Sequence, residues 1–510
     1  MRLYPAEHVV APCGEHLLQW AAIPLPDGLS LQEIYTRLPL QQPGIVLLDS
    51  ATEPSPAGKF PLARYCIVAQ EPFGILEGTE DGAWWHSSDE GSQFVAGNPL
   101  RLLQTFLNRY SLPAANYLTP LPAGAIGFLN YGLKALIESC PNRLPAPNRL
   151  PLYWFGFYDA IAAIDLYRRE MILTSTGFPH QGAAQLRRAQ ERLQQLVTQW
   201  QSLLNTPAPP VAPAYHCGET QVYWSRREYA QAHRRIQRYI AAGDVYQVNL
   251  AQMFQACFEG SPAGLFLRAR AISPVPFGAY LQAEDFTIIS LSPERFLHVC
   301  PITRRVQTRP IKGTRPRATD MSEDRRYACE LLHSHKDRAE HIMIVDLERN
   351  DLGRVAQVGT VEVAELMTLE GFAQMYHLTS TVQATLRPEV DAATLLWATF
   401  PGGSITGAPK VRAMQIIEEV EPVAREVYTG SLGYIGFHGG IDMNIAIRTA
   451  VVRDKKITFY AGGGIVADSN ADEEYAETLI KAMGWFEAIR ASQGEHVYGT
   501  VGMVQRSPVR

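Results

Sequence analysis

Gly402-Gly403-Ser404-Ile405-Thr406-Gly407-Ala408-Pro409-Lys410 is the stretch on which the fold class turns. A phosphate loop here would join a strand to a helix and make the chain a parallel α/β protein. That pattern needs lysine directly after the second glycine, and Ala408 stands there, so the nucleotide-binding reading fails. Downstream, Gly462-Gly463-Gly464-Ile465-Val466-Ala467 fits the loose G-x-G-x-x-G/A form. Polar Asp468-Ser469-Asn470 follows where a dinucleotide-binding helix would already run, which sets that reading aside too. No βαβ repeat or internal repeat runs along the chain. The expected architecture is therefore α+β, with large and mainly antiparallel sheets.

Working outward, short β-like runs occur at Gly44–Leu48 and Tyr153–Tyr158. Later, Phe286–Leu291 and Met443–Val452 read as strands and Glu323–His333 as a helix. From Gln181 to Leu204, apolar residues recur at helical spacing. Thr206-Pro207-Ala208-Pro209-Pro210-Val211-Ala212-Pro213 follows and can neither continue a helix nor donate to a sheet ladder. Ser225 and Glu228 have capping-box spacing and predict a helix through Ile240, ended at Gly243. The chain thus divides into an N-terminal region (1–205), a proline-rich linker (206–222), a second domain (223–495) and a tail (496–510).

The formal net charge of −5 and the pI near 6.3 argue against a nucleic-acid partner. Seven scattered cysteines without a C-x-x-C pair fit reduced thiols better than a disulfide framework or a zinc site. No apolar signal core follows the N-terminus, and no stretch of about 18 apolar residues appears, so no membrane contact is expected and the location is read as cytoplasmic.

Two carboxylate pairs carry the i, i+3 spacing that places both groups on one helix face: Asp337 with Glu340, and Glu474 with Glu477. Taken singly, each pair reads as a solvated acidic face. If the faces converge, four carboxylates need a hard cation or protonation to offset their repulsion, and an oxygen-only set suits Mg²⁺. Spacing does not decide between these readings.

Several stretches, in order, resemble the chorismate-utilising enzymes, the family of anthranilate, aminodeoxychorismate and isochorismate synthases. They are Gly243–Leu250, Ser292–Phe296, Arg309–Arg317, Asp346–Arg354, Phe400–Lys410 and Gly462–Ser469. The match runs from about Tyr223 to Arg490, and more loosely through Leu47–Ser50 and Gly124–Phe128. It implies a fold of two intimately packed halves, with helices flanking the sheets. Within the family, isochorismate and salicylate synthases carry a water-activating lysine at the position of Gln247, and its absence speaks against water as nucleophile. Lys312 resembles the aminodeoxychorismate synthases, whereas anthranilate synthases have alanine there.

The resemblance implies roles for named residues. Glu294 would protonate the C4 hydroxyl of chorismate, and Lys312 would add at C2, which requires its neutral form and so a lowered pKa or a nearby proton acceptor. Ammonia would then attack C4 and expel the lysine. Mg²⁺ would sit on Glu340 and Glu477, with Asp337 and Glu474 acting directly or through water. Arg448 and Lys481 would face the substrate's carboxylates, with Gly462, Gly463 and Gly464 offering backbone N–H groups that no Cβ blocks. His377 matches a family histidine near the ring, and Tyr428 and Thr429 lie on a substrate-side segment. Ammonia is expected from a separate glutaminase subunit, because no cysteine sits in a glycine-rich elbow. No lyase domain is expected, so the product would be the C4-aminated ring and not 4-aminobenzoate. Leu48 and Ser50, with Pro276 and Phe277, resemble the family's tryptophan pocket, or equally form an ordinary strand and turn. The rivals are an anthranilate synthase large component and an inactive homologue that only binds a partner.

Overall fold

The computed structural model describes residues 8–10, 17–50, 62–207, 214–371 and 375–492. The expected tail (496–510) and residues 208–213 of the expected linker lie outside them. Two sheets dominate, of 14 and 12 strands among the described residues, and every strand pair in them is antiparallel. Both sheets are shared between the two stretches of chain. In the first, Val46–Asp49 pairs with Phe277–Gln282, with Leu48 opposite Ala279. In the second, Gly124–Leu129 pairs with Ser431–Gly436, with Phe128 opposite Leu432.

The sheets face one another across a core that includes Val46, Ile126, Phe128, Trp154, Ile288 and Val451. Helices cover the outer faces. Gly182–Asn205, Pro262–Ile272 and Ala471–Ala491 bury Leu193, Trp200, Phe266 and Trp485 against the first sheet. Pro99–Asn108 and Ala392–Thr399 bury Leu103, Phe106 and Leu396 against the second. The α+β expectation holds. No helix among the described residues is long and apolar enough to cross a membrane.

Local signals read from sequence account for several boundaries. Ser225 accepts from the Glu228 N–H while Glu228 bonds back, starting the helix Arg226–Ala241. Of the expected linker, Tyr215–Cys217 and Gln221–Val222 are strands laid against Gln247–Gly260. One expectation is corrected. Met443–Val452 is not one strand: Ile441–Ile445 belongs to the second sheet and Thr449–Arg453 to the first. The chain crosses between the sheets at Ala446–Arg448, where Arg448 has φ of 49°. A left-handed residue cannot continue a strand, and an arginine held there is a departure from the preferred backbone.

Candidate active site

The crossover places Arg448 beside the end of the strand Lys456–Ile465. Pairing of that strand with Thr449–Arg453 stops at Phe459, while on its other edge Gly462, Gly463 and Gly464 continue opposite Ala251, Leu250 and Asn249. The glycine run is therefore one-sided next to Arg448. Its lack of Cβ also admits acidic side chains. A Cβ on Gly464 would come within 2.7 Å of Glu340 Oε1, and one on Gly463 within 3.0 Å of Glu474 Oε2 and 3.6 Å of Glu477 Oε1. Helices His335–Gly353 and Ala471–Ala491 thus bring Glu340, Glu474 and Glu477 to the same strand.

Each carboxylate is held by a cation. Lys312 Nζ donates to Glu340 Oε1 at 2.7 Å, and Gln247 Nε2 donates to the same oxygen at 2.7 Å. Lys481 reaches Glu477 at 2.7 Å and donates to the Gly462 carbonyl at 2.9 Å. Lys336 lies 3.7 Å from Glu474. Asp337 takes a different partner, accepting from Arg315 at 2.9 Å. As they stand, no group of three or more His, Cys, Asp or Glu side chains among the described residues is placed to hold a metal ion.

Lys312 lies on the edge strand Ile311–Pro316, opposite Leu378 of Met375–Thr385. Burial pushes its amine toward the neutral form, but the Glu340 carboxylate outweighs burial and its pKa is raised. The lowered pKa expected for Lys312 is not found; the group in contact with its amine is the Glu340 carboxylate, itself held below the usual range by Lys312 against burial. On the same strand, the Ile311 N–H donates to Glu294 Oε1 at 3.4 Å. Glu294 is 4% exposed. Burial holds its carboxyl above the usual range, against the Ser404 hydroxyl and Lys312.

His377, one residue along from Leu378, is buried and shares a hydrogen bond with Thr314 through Nδ1 at 3.1 Å. Burial first, then the charges of Arg448 and Lys481, push its imidazole down to about 3, so it is neutral at ordinary pH. Among the described residues Arg448 has no carboxylate partner, and its guanidinium meets the Met375 sulfur at 3.6 Å. Thr429, also in the left-handed region at φ of 60°, turns its hydroxyl to the Tyr428 carbonyl at 2.6 Å, and Tyr428 stacks on Tyr460. The site thus brings together a carboxyl raised above its usual range, a lysine and a guanidinium with no carboxylate partner among the described residues, a set able to bind a small dianion and exchange protons with it.

Leu48, Ser50, Pro276 and Phe277 line one cavity of about 310 Å³ between the sheets, with Arg295 and Asp442 in its wall. The Ser50 hydroxyl donates to the Pro276 carbonyl at 3.1 Å. Sequence reasoning missed the Arg295–Asp442 pair, bidentate at 2.9 and 2.8 Å. It also missed the use of Lys410, which bonds Asp351 and donates to the Thr399 carbonyl at 3.1 Å. The lysine of the false phosphate loop thus clips two matched motifs together. The available signal was an unassigned charge of opposite sign in each.

Residues 71–486 match the chorismate binding enzyme family, and the chain belongs to it. Aminodeoxychorismate synthase component 1 of Escherichia coli (strain K12) is 41% identical, covering 82% of this chain and 89% of its own. Anthranilate synthase component 1 of Bacillus caldotenax is 36% identical over 89% of this chain and 90% of its own. The crystal structure of anthranilate synthase component I from Streptococcus pneumoniae TIGR4 superposes with a TM-score of 0.72 at 30% identity, covering 90% of this chain and 98% of that one.

Proposed function

We propose that this chain is the chorismate-binding component of a 4-amino-4-deoxychorismate synthase, which places ammonia nitrogen on C4 of chorismate. The single observation that carries this is Lys312, bonded to Glu340 at 2.7 Å. The 41% identity to the Escherichia coli aminodeoxychorismate synthase component points the same way.

Lys312 gives up a proton, for which Glu340 is the acceptor in contact, and its nitrogen bonds to C2 of the ring. The double bonds shift, the C4–O bond breaks, and Glu294 donates the proton that lets the hydroxyl leave as water. Ammonia then bonds to C4, the double bonds shift back, and the C2–N bond to Lys312 breaks. The proton released as the new amine forms replaces the one Glu294 gave. Arg448 and Lys481 hold the substrate's carboxylates, and the neutral His377 orients the ring without adding charge.

Glu340 and Glu477, with Glu474 beside them, would hold Mg²⁺ through carboxylate oxygens once released from Lys312, Lys481 and Lys336. Bound there, Mg²⁺ would supply positive charge against a substrate carboxylate and ease deprotonation of Lys312. Asp337, committed to Arg315, acts on that site from outside. Ammonia comes from a separate glutaminase subunit, the location is cytoplasmic, and the product leads to 4-aminobenzoate and folate. The cavity at Leu48, Ser50, Pro276 and Phe277 takes tryptophan.

The test is product analysis after mixing the protein with chorismate, Mg²⁺ and an ammonium salt. A C4-aminated product that keeps its enolpyruvyl group, and that an added lyase converts to 4-aminobenzoate, supports the reading. Anthranilate with released pyruvate would replace it by the C2-aminating alternative.

A further inference from the structure

We infer that Asn249, together with Gln247, seats the ammonia that attacks C4: the carbonyl oxygens of the two side-chain amides hold two of its N–H groups. This rests on the reading above, in which ammonia is the nucleophile at C4.

Both residues lie on the strand Gln247–Gly260 and, being two apart, project on one face. Asn249 is 7% exposed and Gln247 1%. Gln247 Oε1 and Asn249 Oδ1 are buried, and neither has a hydrogen-bond partner among the described residues. Buried acceptors are normally satisfied, so two orphans side by side call for a donor from outside the chain. The Gln247 amide can stand only one way, because Nε2 donates to Glu340 Oε1 at 2.7 Å and an oxygen in its place would repel that carboxylate. Asn249 is pinned through its backbone. Its N–H donates to the Thr406 carbonyl at 2.8 Å, and its own carbonyl accepts from Arg425 at 2.8 Å. The side chain takes no part in either bond.

The two amides meet at Gly464. This glycine lies directly opposite Asn249, and residues so paired set their Cβ positions about 5 Å apart on one face. A Cβ on Gly464 would come within 2.1 Å of Gln247 Nε2 and 2.7 Å of Glu340 Oε1. The space that the missing side chain leaves is thus bordered by both amides and by the carboxylate on which Lys312 also closes, at 2.7 Å. Two acceptors select a small molecule with several donors. Being neutral, they also keep ammonia as ammonia, whereas an unpaired carboxylate would favour ammonium, which has no lone pair to give. The carboxylate nearby, Glu340, is already met by Lys312 and Gln247. With two N–H groups held, the lone pair is left to face the ring carried by Lys312. As nitrogen bonds to C4, the C2–N bond to Lys312 breaks and the released proton goes to Glu294 as above. The amides exchange no proton, and no further reactant is needed.

The test measures KM for free ammonia and KM for chorismate in the wild type, Asn249→Val and Asn249→Ser. Intact mass gives, for each, the rate at which the Lys312 adduct forms when ammonia is withheld. Both variants withdraw Oδ1, and Asn249→Ser, the smaller, decides should Asn249→Val fail to fold. The expected result is a rise of roughly three- to tenfold in the KM for ammonia. The KM for chorismate and the rate of adduct formation should not move. An unchanged KM for ammonia would overturn the proposal and leave the amides to water. A parallel rise in both KM values, or slower adduct formation, would also overturn it, by making Asn249 a support of the strand. If the wild type yields anthranilate, the C4 reading fails while the ammonia KM of the variants still decides the seat. No amination by the wild type overturns both.

Discussion

At the scale of single residues, the account rests on burial set against charge. Enclosure raises the Glu294 carboxyl above the usual range against the pull of Lys312, the direction that its proposed role as acid requires. Glu294→Gln should cut turnover with chorismate and ammonium by about 10²- to 10⁴-fold while leaving chorismate binding measurable by calorimetry. An unchanged rate would remove its role as acid. A second residue-scale prediction concerns pH and folding. His438 is buried and its imidazole is held down to about 4, below its ordinary value of 6.5. As pH falls through 6.5, the unfolded chain takes up the proton first, so stability is lost toward acid. Chemical denaturation should show His438→Gln losing up to about 1.4 kcal/mol per pH unit less than the wild type below that point. Parallel curves would contradict this. Most site residues were legible because they lie in motifs that match as units. Their partners were not. Lys312 meets Glu340, and Lys410 meets Asp351, across sequence separations that only the folded chain closes.

Among elements, helix signals were the most readable. The Ser225–Glu228 capping box and the apolar spacing of the long helix Gly182–Asn205 both predicted helices where they occur. The strand read across Met443–Val452 failed for a physical reason. Its apolar residues run on without a turn signal, and the break depends on a left-handed arginine, which no composition rule announces. The same limit applied to Thr429. A buried ion pair anchors this region. Arg425, at φ-strained Thr429's side, bonds Glu421 at 2.6 and 2.9 Å and donates to the Asn249 carbonyl at 2.8 Å and the Ile405 carbonyl at 3.1 Å. Arg425→Ala leaves Glu421 buried and unpaired, and should destabilise the fold by about 3–5 kcal/mol in urea unfolding. A loss below about 1 kcal/mol would show that Glu421 finds another partner or is protonated at little cost.

Over the whole molecule, the resemblance implied two intimately packed halves, and the strands of both regions share both sheets. Close backbone contact at the second seam explains a glycine there: a Cβ on Gly124 would lie 2.8 Å from the Ile435 carbonyl oxygen. A fragment of residues 1–207 would expose two unpaired sheet edges, at Val46–Asp49 and Gly124–Leu129. It should show no cooperative thermal transition by circular dichroism unless residues 214–510 are supplied. A sharp melt of the fragment alone would mean the N-terminal half has its own sufficient core. No pattern in the sequence could show this sharing, since pairing across more than two hundred residues leaves no local trace.

The measurement that bears most directly on the central claim is intact-mass analysis of the wild type and Lys312→Ala during turnover of chorismate, without ammonia and then with it. The account predicts a covalent ring adduct on Lys312 when ammonia is withheld, released as the C4-aminated product when ammonia is added, and neither species from Lys312→Ala. C4 amination at an undiminished rate by Lys312→Ala would contradict it.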